Sequence, residues 1–345
     1  MRLYLFLAPL SLREKYEGQV RMEGHSNSRF FLNAMILAGI CAVLIWLIFY
    51  QILPKMTIKI AFKQLLNGLT LGLMYVIIAS GLSLIFGLME VINFAHGALY
   101  MLGAYFGLSF FRLTGNFWLS LLVAPIIVGT VGMLLEYSTF RPLYGRSPLY
   151  HILLTFGLVL VIGNSAELIW GKAYHIFPRP EVFKGMVSFL GINYPTYRLF
   201  VLLVGVGISV FFWLMLKRTR FGLIIRAGTH NREITSAFGI DISRYFTIVF
   251  GFGVAIAGAA GVVMAPILSV HPHMGDGIII TAFIVVVVGG LGSLSGAALA
   301  GILIGVLESF SVILFPAFTG AMMYMVMVIV LLVRPQGLLG IEEIR

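Results

Sequence analysis

The chain has 345 residues, 60% hydrophobic and only 10% charged, with a formal net charge of +10. A soluble domain carries roughly 25% charged residues, so the composition excludes a water-soluble globule and predicts an all-α polytopic membrane protein. The one cysteine, Cys41, offers no intrachain disulfide and no metal motif. The basic excess fits Lys and Arg gathered in cytoplasmic loops, and no basic stripe with interleaved aromatics suggests nucleic acid.

In chain order, residues 1–29 read as an N-terminal tail, with a short apolar patch followed by Arg13, Lys15, Arg21 and Arg29. The patch resembles a signal-peptide core but lacks a convincing small-residue cleavage site. Residues 30–55 read as an additional transmembrane helix. From 56 to 345, apolar runs fall at about 64–87, 88–111, 117–139, 149–170, 198–216, 245–266, 278–291, 295–315 and 317–333. They predict about eight core transmembrane helices, some broken or re-entrant, because a span needs about 20 apolar residues and 278–291 is too short to stand upright.

Three connections carry the topology. Residues 141–148 are basic and turn-rich, 171–197 form a longer polar loop with Pro178, Pro180 and Pro195, and 217–244 hold six basic and two acidic residues. Placing 217–244 in the cytoplasm puts 171–197 outside and 141–148 inside. The same parity puts 54–63 outside, although Lys55, Lys59 and Lys63 sit there. Either 64–111 is not two simple spans, or the lysines line one side of an interfacial helix. Small residues at helix-packing spacing, Gly253-Ala257-Gly261 and Ala297-Gly301-Gly305, read as contacts between helices.

Residues 90–105, EVINFAHGALYMLGAY, place Glu90, Asn93 and His96 in an otherwise apolar stretch. An ionisable group at the membrane centre costs about 2.5–3.5 kcal/mol on insertion scales, so these groups should face a cavity, a partner or an interface. On a continuous helix the three would share an arc of about 120°, with Gly97 almost over Glu90. That face would line a polar solute's path. Equally, Glu90 would mark the membrane edge while Asn93 and His96 satisfy each other and nearby backbone.

Other chemistry is missing. The sequence contains no P-loop, HExxH or CxxC. Gly81-Leu82-Ser83 with His96 is a weak match to an intramembrane protease, because nothing orients the histidine. No catalytic residues, no metal site and no cofactor on this chain are expected.

Three long blocks carry a resemblance. LLNGLTLGLMYVIIASGLSLIFGLMEVINFAHGALYMLGAY at 65–105, TRFGLIIRAGTHNREITSAFGIDISRYFTIVFGFGVAIAGAAGV at 219–262, and MGDGIIITAFIVVVVGGLGSLSGAALAGILIGVLES at 274–309 closely resemble, in the same order, the LivH-type permeases of branched-chain amino acid ABC transporters. The likeness runs over about residues 61–340. It implies a permease domain at 56–345 that works with a LivM-type second permease and two cytoplasmic ATPases binding ATP and magnesium. A periplasmic binding protein would deliver the solute, all at the bacterial inner membrane.

The resemblance further implies that 217–244 is a cytoplasmic coupling loop docking on an ATPase, with matching positions at Arg226, Ala227, Asn231, Glu233, Gly239 and Asp241. Many relatives carry an acidic pair where this chain has His230-Asn231-Arg232. The THNRE string is nearer a TQNRE variant also found in urea permeases, whereas GGLGSLSGA at 289–297 resembles the amino-acid branch. A urea or short-amide permease is therefore one alternative. A proton-coupled secondary transporter using Glu90, His96, Glu136 and Glu308 is another.

Overall fold

The computed structural model describes residues 57–189 and 191–340; the expected tail at 1–29 and additional helix at 30–55 lie outside these residues. The described chain is almost entirely helical: α1 Ile58–Met89, α2 Ala95–Thr114, α3 Phe117–Leu135, α4 Pro148–Trp170, α5 Thr196–Arg218, α6 Arg220–His230, α7 Arg232–Ala237, α8 Ile242–Leu268, α9 Met274–Gly289, α10 Leu294–Leu314 and α11 Thr319–Val333. Among the described residues, seven helical stretches are long and apolar enough to cross a membrane, and α9 is a shorter apolar helix. The protein is a multi-pass, all-α membrane protein.

The core is built where small residues let helices touch. Along α1, a Cβ on Gly72 would lie 2.8 Å from Ile302 Cα, and one on Gly305 of α10 would lie 2.3 Å from Gly72 Cα. In lipid there is no hydrophobic drive between helices, so such contact gains its stability from dispersion between closely approached backbones. The α8 stripe does the same on two sides, with Gly253 against the Gly81 carbonyl and Gly261 against the Tyr100 carbonyl. α8 thus sits among α1, α2 and α3, and its Val254, Ala257, Ala260 and Val263 are fully buried. α4, α5 and α11 turn large side chains outward, among them Leu153, Leu160, Leu203, Phe211 and Leu332, as suits faces against lipid or another membrane subunit.

The expected loop at 171–197 contains a small structure that period counting misses: an antiparallel hairpin pairing Met186–Phe189 with Ile192–Pro195. Gly191, at φ +72°, makes its turn. Lys59 and Lys63 stand at this hairpin end, since Lys59 Nζ lies where a Gly191 side chain would go and Lys63 shares a cavity with Asn193. α6 and α7 lie at the opposite, basic end.

One local expectation changes. Residues 88–111 do not form a single helix, because α1 closes with Glu90 N–H donating to the Phe86 carbonyl (2.8 Å) and Glu90 itself sits at φ +54°. That left-handed conformation is uncommon for a residue with a Cβ, and residues 90–93 are non-helical before α2 starts at Ala95. Glu90 and Asn93 therefore do not share a helical face with His96. The non-helical backbone of the break is enclosed by protein, with Val91 and Asn93 buried.

Candidate translocation and coupling sites

The break between α1 and α2 concentrates buried polar atoms. Asn93 and His96 are both 0% exposed. His96 Nε2 lies 3.2 Å from the Ile78 carbonyl, while His96 Nδ1 and both amide atoms of Asn93 have no hydrogen-bond partner. Buried polar groups in folded proteins are nearly always paired, and an exception calls for an explanation. Glu90 is exposed. Gly97 faces another helix: its added Cβ would lie 2.4 Å from the Gly275 carbonyl and 2.8 Å from Ile279 Cβ. The expected four residues thus separate into an exposed carboxylate, two buried polar side chains and a packing contact.

The other acidic residues that a proton-coupled transporter would use have their own local partners. Glu136 is 0% exposed and accepts from Tyr144 Oη (2.6 Å) and Thr247 Oγ1 (2.5 Å), tying the end of α3 to α8. Glu308 accepts from Tyr75 Oη (2.7 Å). Each of Glu136, Glu308 and His96 bonds to a different group. Glu136→Gln keeps an acceptor for one hydroxyl and should assemble nearly normally. Glu136→Ala removes the charged acceptor shared by two half-buried hydroxyls and should cost about 1–3 kcal/mol; the difference in melting temperature of the two purified variants checks this.

At the hairpin end a cavity of about 680 Å³ is lined by Lys63, Arg179 and Arg198 together with Gln64, Asn67 and Asn193. The sequence does not announce it, because its three cations come from α1, the 171–195 connection and α5. A hydrogen-bond chain fixes it. Arg198 Nη1 and Tyr194 Oη both donate to Asn67 Oδ1, at 2.5 and 3.1 Å. Asn67 Nδ2 donates to Gln64 Oε1 (2.8 Å), and Gln64 Nε2 donates to the Ser309 carbonyl (3.0 Å). Such a cavity is chemically suited to a carboxylate.

At the basic end the loop expected at 217–244 is two short helices, each started by a side-chain cap. Thr219 Oγ1 accepts from Gly222 N–H, Asn231 Oδ1 from Ile234 N–H, and Asp241 Oδ1 from the Arg244 N–H that begins α8. Such caps satisfy helix N–H groups that lack intrahelical acceptors. Gly239, at φ +79°, turns the chain after α7. The Ala227 carbonyl accepts from Asn231 N–H (2.9 Å). Arg226 turns back and donates to the Leu216 carbonyl at the end of α5. Glu233 is exposed beside Ile234 and Phe238, which are 58% and 80% exposed. Gly228 packs on Leu88 Cδ1 at the foot of α1, two residues before the chain leaves the helix at Glu90.

The model of the family described as branched-chain amino acid transport system / permease component matches residues 64–331. The chain is 30% identical over 302 residues to the high-affinity branched-chain amino acid transport system permease protein BraD of Pseudomonas aeruginosa, covering 82% of this chain and 96% of BraD. It is 32% identical over 299 residues to a probable branched-chain amino acid transport permease protein LivH of Methanocaldococcus jannaschii, covering 81% and 93%. It is also 28% identical over 294 residues to the LivM permease of the high-affinity branched-chain system of Escherichia coli, covering 78% and 68%.

Proposed function

The chain belongs to the family of branched-chain amino acid transport permeases, of the LivH type, and from that premise we propose that it is the membrane subunit of an ATP-driven ABC importer. It takes branched-chain or other hydrophobic amino acids from a periplasmic binding protein across the bacterial inner membrane. It pairs with a LivM-type permease, and two partner ATPases bind ATP and magnesium and dock on the α6–α7 segment.

The observation that carries this reading is mechanical. The exposed α6–α7 segment packs through Gly228 on Leu88, and α1 ends at once in a break where Asn93, and His96 in the first turn of α2, have unpaired buried atoms. Displacement of α6 by an ATPase is transmitted to the foot of α1 and opens the break. Asn93 and His96 then gain polar partners in the passing solute or its water. The basic cavity at the hairpin end supports a solute with a carboxylate, which favours an amino acid over urea.

Two substitutions test separate parts. Asn93→Leu keeps the number of side-chain heavy atoms and removes a buried amide with no partner in this structure. The gain from losing unpaired polar atoms and the cost of two bulkier methyl groups roughly offset, so assembled protein should stay within about 1–3 kcal/mol of wild type. Its transport rate per complex should still fall at least about tenfold. Full transport in a normally assembled Asn93→Leu complex would make the amide a packing feature. Arg198→Gln should weaken leucine uptake about tenfold while leaving any urea flux unchanged. The decisive experiment is uptake of labelled leucine and urea by vesicles holding the co-purified complex, with ATP or with a proton gradient. Uptake driven by the gradient without an ATPase would establish a secondary transporter instead, and preference for urea would establish the amide branch.

A further inference from the structure

A second cavity, of about 430 Å³, lies between α1, α5, α6 and the start of α10 at the basic end, and the transport reading makes no use of it. Ser83 in its wall is 0% exposed, yet its Oγ has no hydrogen-bond partner. Ser209 Oγ, across from it on α5, is likewise buried and unpaired. Two helical serines usually bond back to their own backbone; here both hydroxyls are left for something in the cavity.

The charge around these hydroxyls has one sign. Lys217 lines the cavity with its Nζ 5.1 Å from the centre of the Trp213 ring. Arg226 lines it while giving one N–H to the Leu216 carbonyl, and a guanidinium has five N–H donors in all. The 21-residue helix α10 begins at the cavity, where Ser293 Oγ accepts from Gly296 N–H. A helix start presents leading N–H groups without intrahelical acceptors and a partial positive charge, which together favour an oxyanion. Among the described residues no carboxylate lines the space.

Besides the hydroxyls of Ser80, Thr229 and Ser295, the rest of the wall is apolar, with Val76, Leu84 and Phe212. Trp213 stands at the rim, 50% exposed, and the outward side of α5 continues with exposed Val206, Val210 and Phe211. An oxyanion site with an apolar wall that opens beside a lipid-facing helix suits a phosphate carrying hydrocarbon better than a free ion. We propose that this cavity binds the phosphate headgroup of an anionic phospholipid, with Lys217, Arg226 and the α10 start holding the phosphate, Ser83 and Ser209 hydrogen-bonding it, and its apolar part resting against Phe212. Basic pockets between membrane helices recognise anionic headgroups by the same physics. Because α1 and α6 both line the cavity, the bound lipid fastens the helix that carries the break to the segment that carries Arg226.

The full chain in nanodiscs of mixed phosphatidylcholine and phosphatidylglycerol provides the test, with retained lipid counted by native mass spectrometry. Wild type should retain phosphatidylglycerol over phosphatidylcholine by about tenfold. Ser83→Ala and Lys217→Gln should each reduce that preference several-fold, and the double variant should remove it. Lys184→Gln, just before the hairpin, should leave it unchanged. Retention is counted per monodisperse chain, and Lys217 is exposed, so its variant decides the matter should Ser83→Ala fold poorly. Equal retention of the two lipids, or a preference that survives the double variant, overturns the proposal. So does inorganic phosphate occupying the chain in phosphatidylcholine discs with no retained phosphatidylglycerol in mixed discs, because the source would then be the free ion.

Discussion

Gly97→Leu should yield almost no monodisperse protein, and even Gly97→Ala should be measurably less stable than wild type. The reason is backbone, not passage. A Cβ at Gly97 would lie 2.4 Å from the Gly275 carbonyl oxygen, and a Cβ at Gly275 would lie 2.3 Å from that of Gly97. Neither oxygen is the end of a flexible side chain, so relief requires α2 and α9 to separate. Inserting one methyl group into a tight core typically costs about 1–3 kcal/mol, and a leucine adds three more carbons beside Ile279. Total stabilities of about 5–15 kcal/mol leave little reserve. The measurement is the folded fraction by size-exclusion chromatography of the detergent-solubilised chain, with His96→Ala as a comparison that removes volume instead of adding it. Normal yield of Gly97→Leu would show that α2 and α9 have space between them, and a blocked path would then again be the way to read a transport defect.

That contrast marks what was legible in the sequence. The apolar runs located the described core helices, because length and hydropathy decide a span. The polar stretch 90–97 was recognisable as unusual for the same reason, since intramembrane polar groups are costly. Its geometry was not legible. Nothing in the residue order announces that Glu90 takes φ +54°, and a periodicity argument assumes a continuous helix where the backbone leaves one. The hairpin at 186–195 was hidden by its brevity: four-residue strands in a polar connection carry too few alternations to read. The basic cavity at Lys63, Arg179 and Arg198 depends on three distant segments meeting, with Arg198 of α5 bonded to Asn67 of α1 and Arg179 held by the Pro266 carbonyl of α8. In the segment 217–244 the resemblance picked positions, and the structure supplies their local chemistry: Asn231 and Asp241 are helix caps, Gly239 is a turn, and Arg226 is held against α5. Arg226 is therefore a poor probe of docking, because Arg226→Ala removes the donor to Leu216 along with any contact to a partner.

Phe238→Asp is the sharper probe and should nearly abolish ATP-driven transport. Ile234, on α7, is 58% exposed and Phe238, just past the end of that helix, is 80% exposed, and the carboxylate-bearing Glu233 next to Ile234 is exposed too. Two large apolar side chains in water next to a charged group have the composition of an interface centre with a polar rim. Because Phe238 makes little internal contact, aspartate there should leave the melting temperature within about 1 °C, as is usual for surface changes within ±0.5 kcal/mol. A buried aromatic anchor at an interface is commonly worth 2 kcal/mol or more, equal to a loss of at least about 30-fold in affinity for the ATPase. Introducing a charge into the same pocket adds a desolvation cost. Glu233→Ala, at the rim, should cost less, about 0.5–1 kcal/mol, and should depend on salt. The readout is ATPase co-purified per membrane subunit, followed by ATP-driven leucine uptake. If Phe238→Asp retains its ATPase and its uptake, α7 is not where the motor docks. The link through Gly228 and Leu88 to the break at Asn93 would then have to be driven from another surface of the chain.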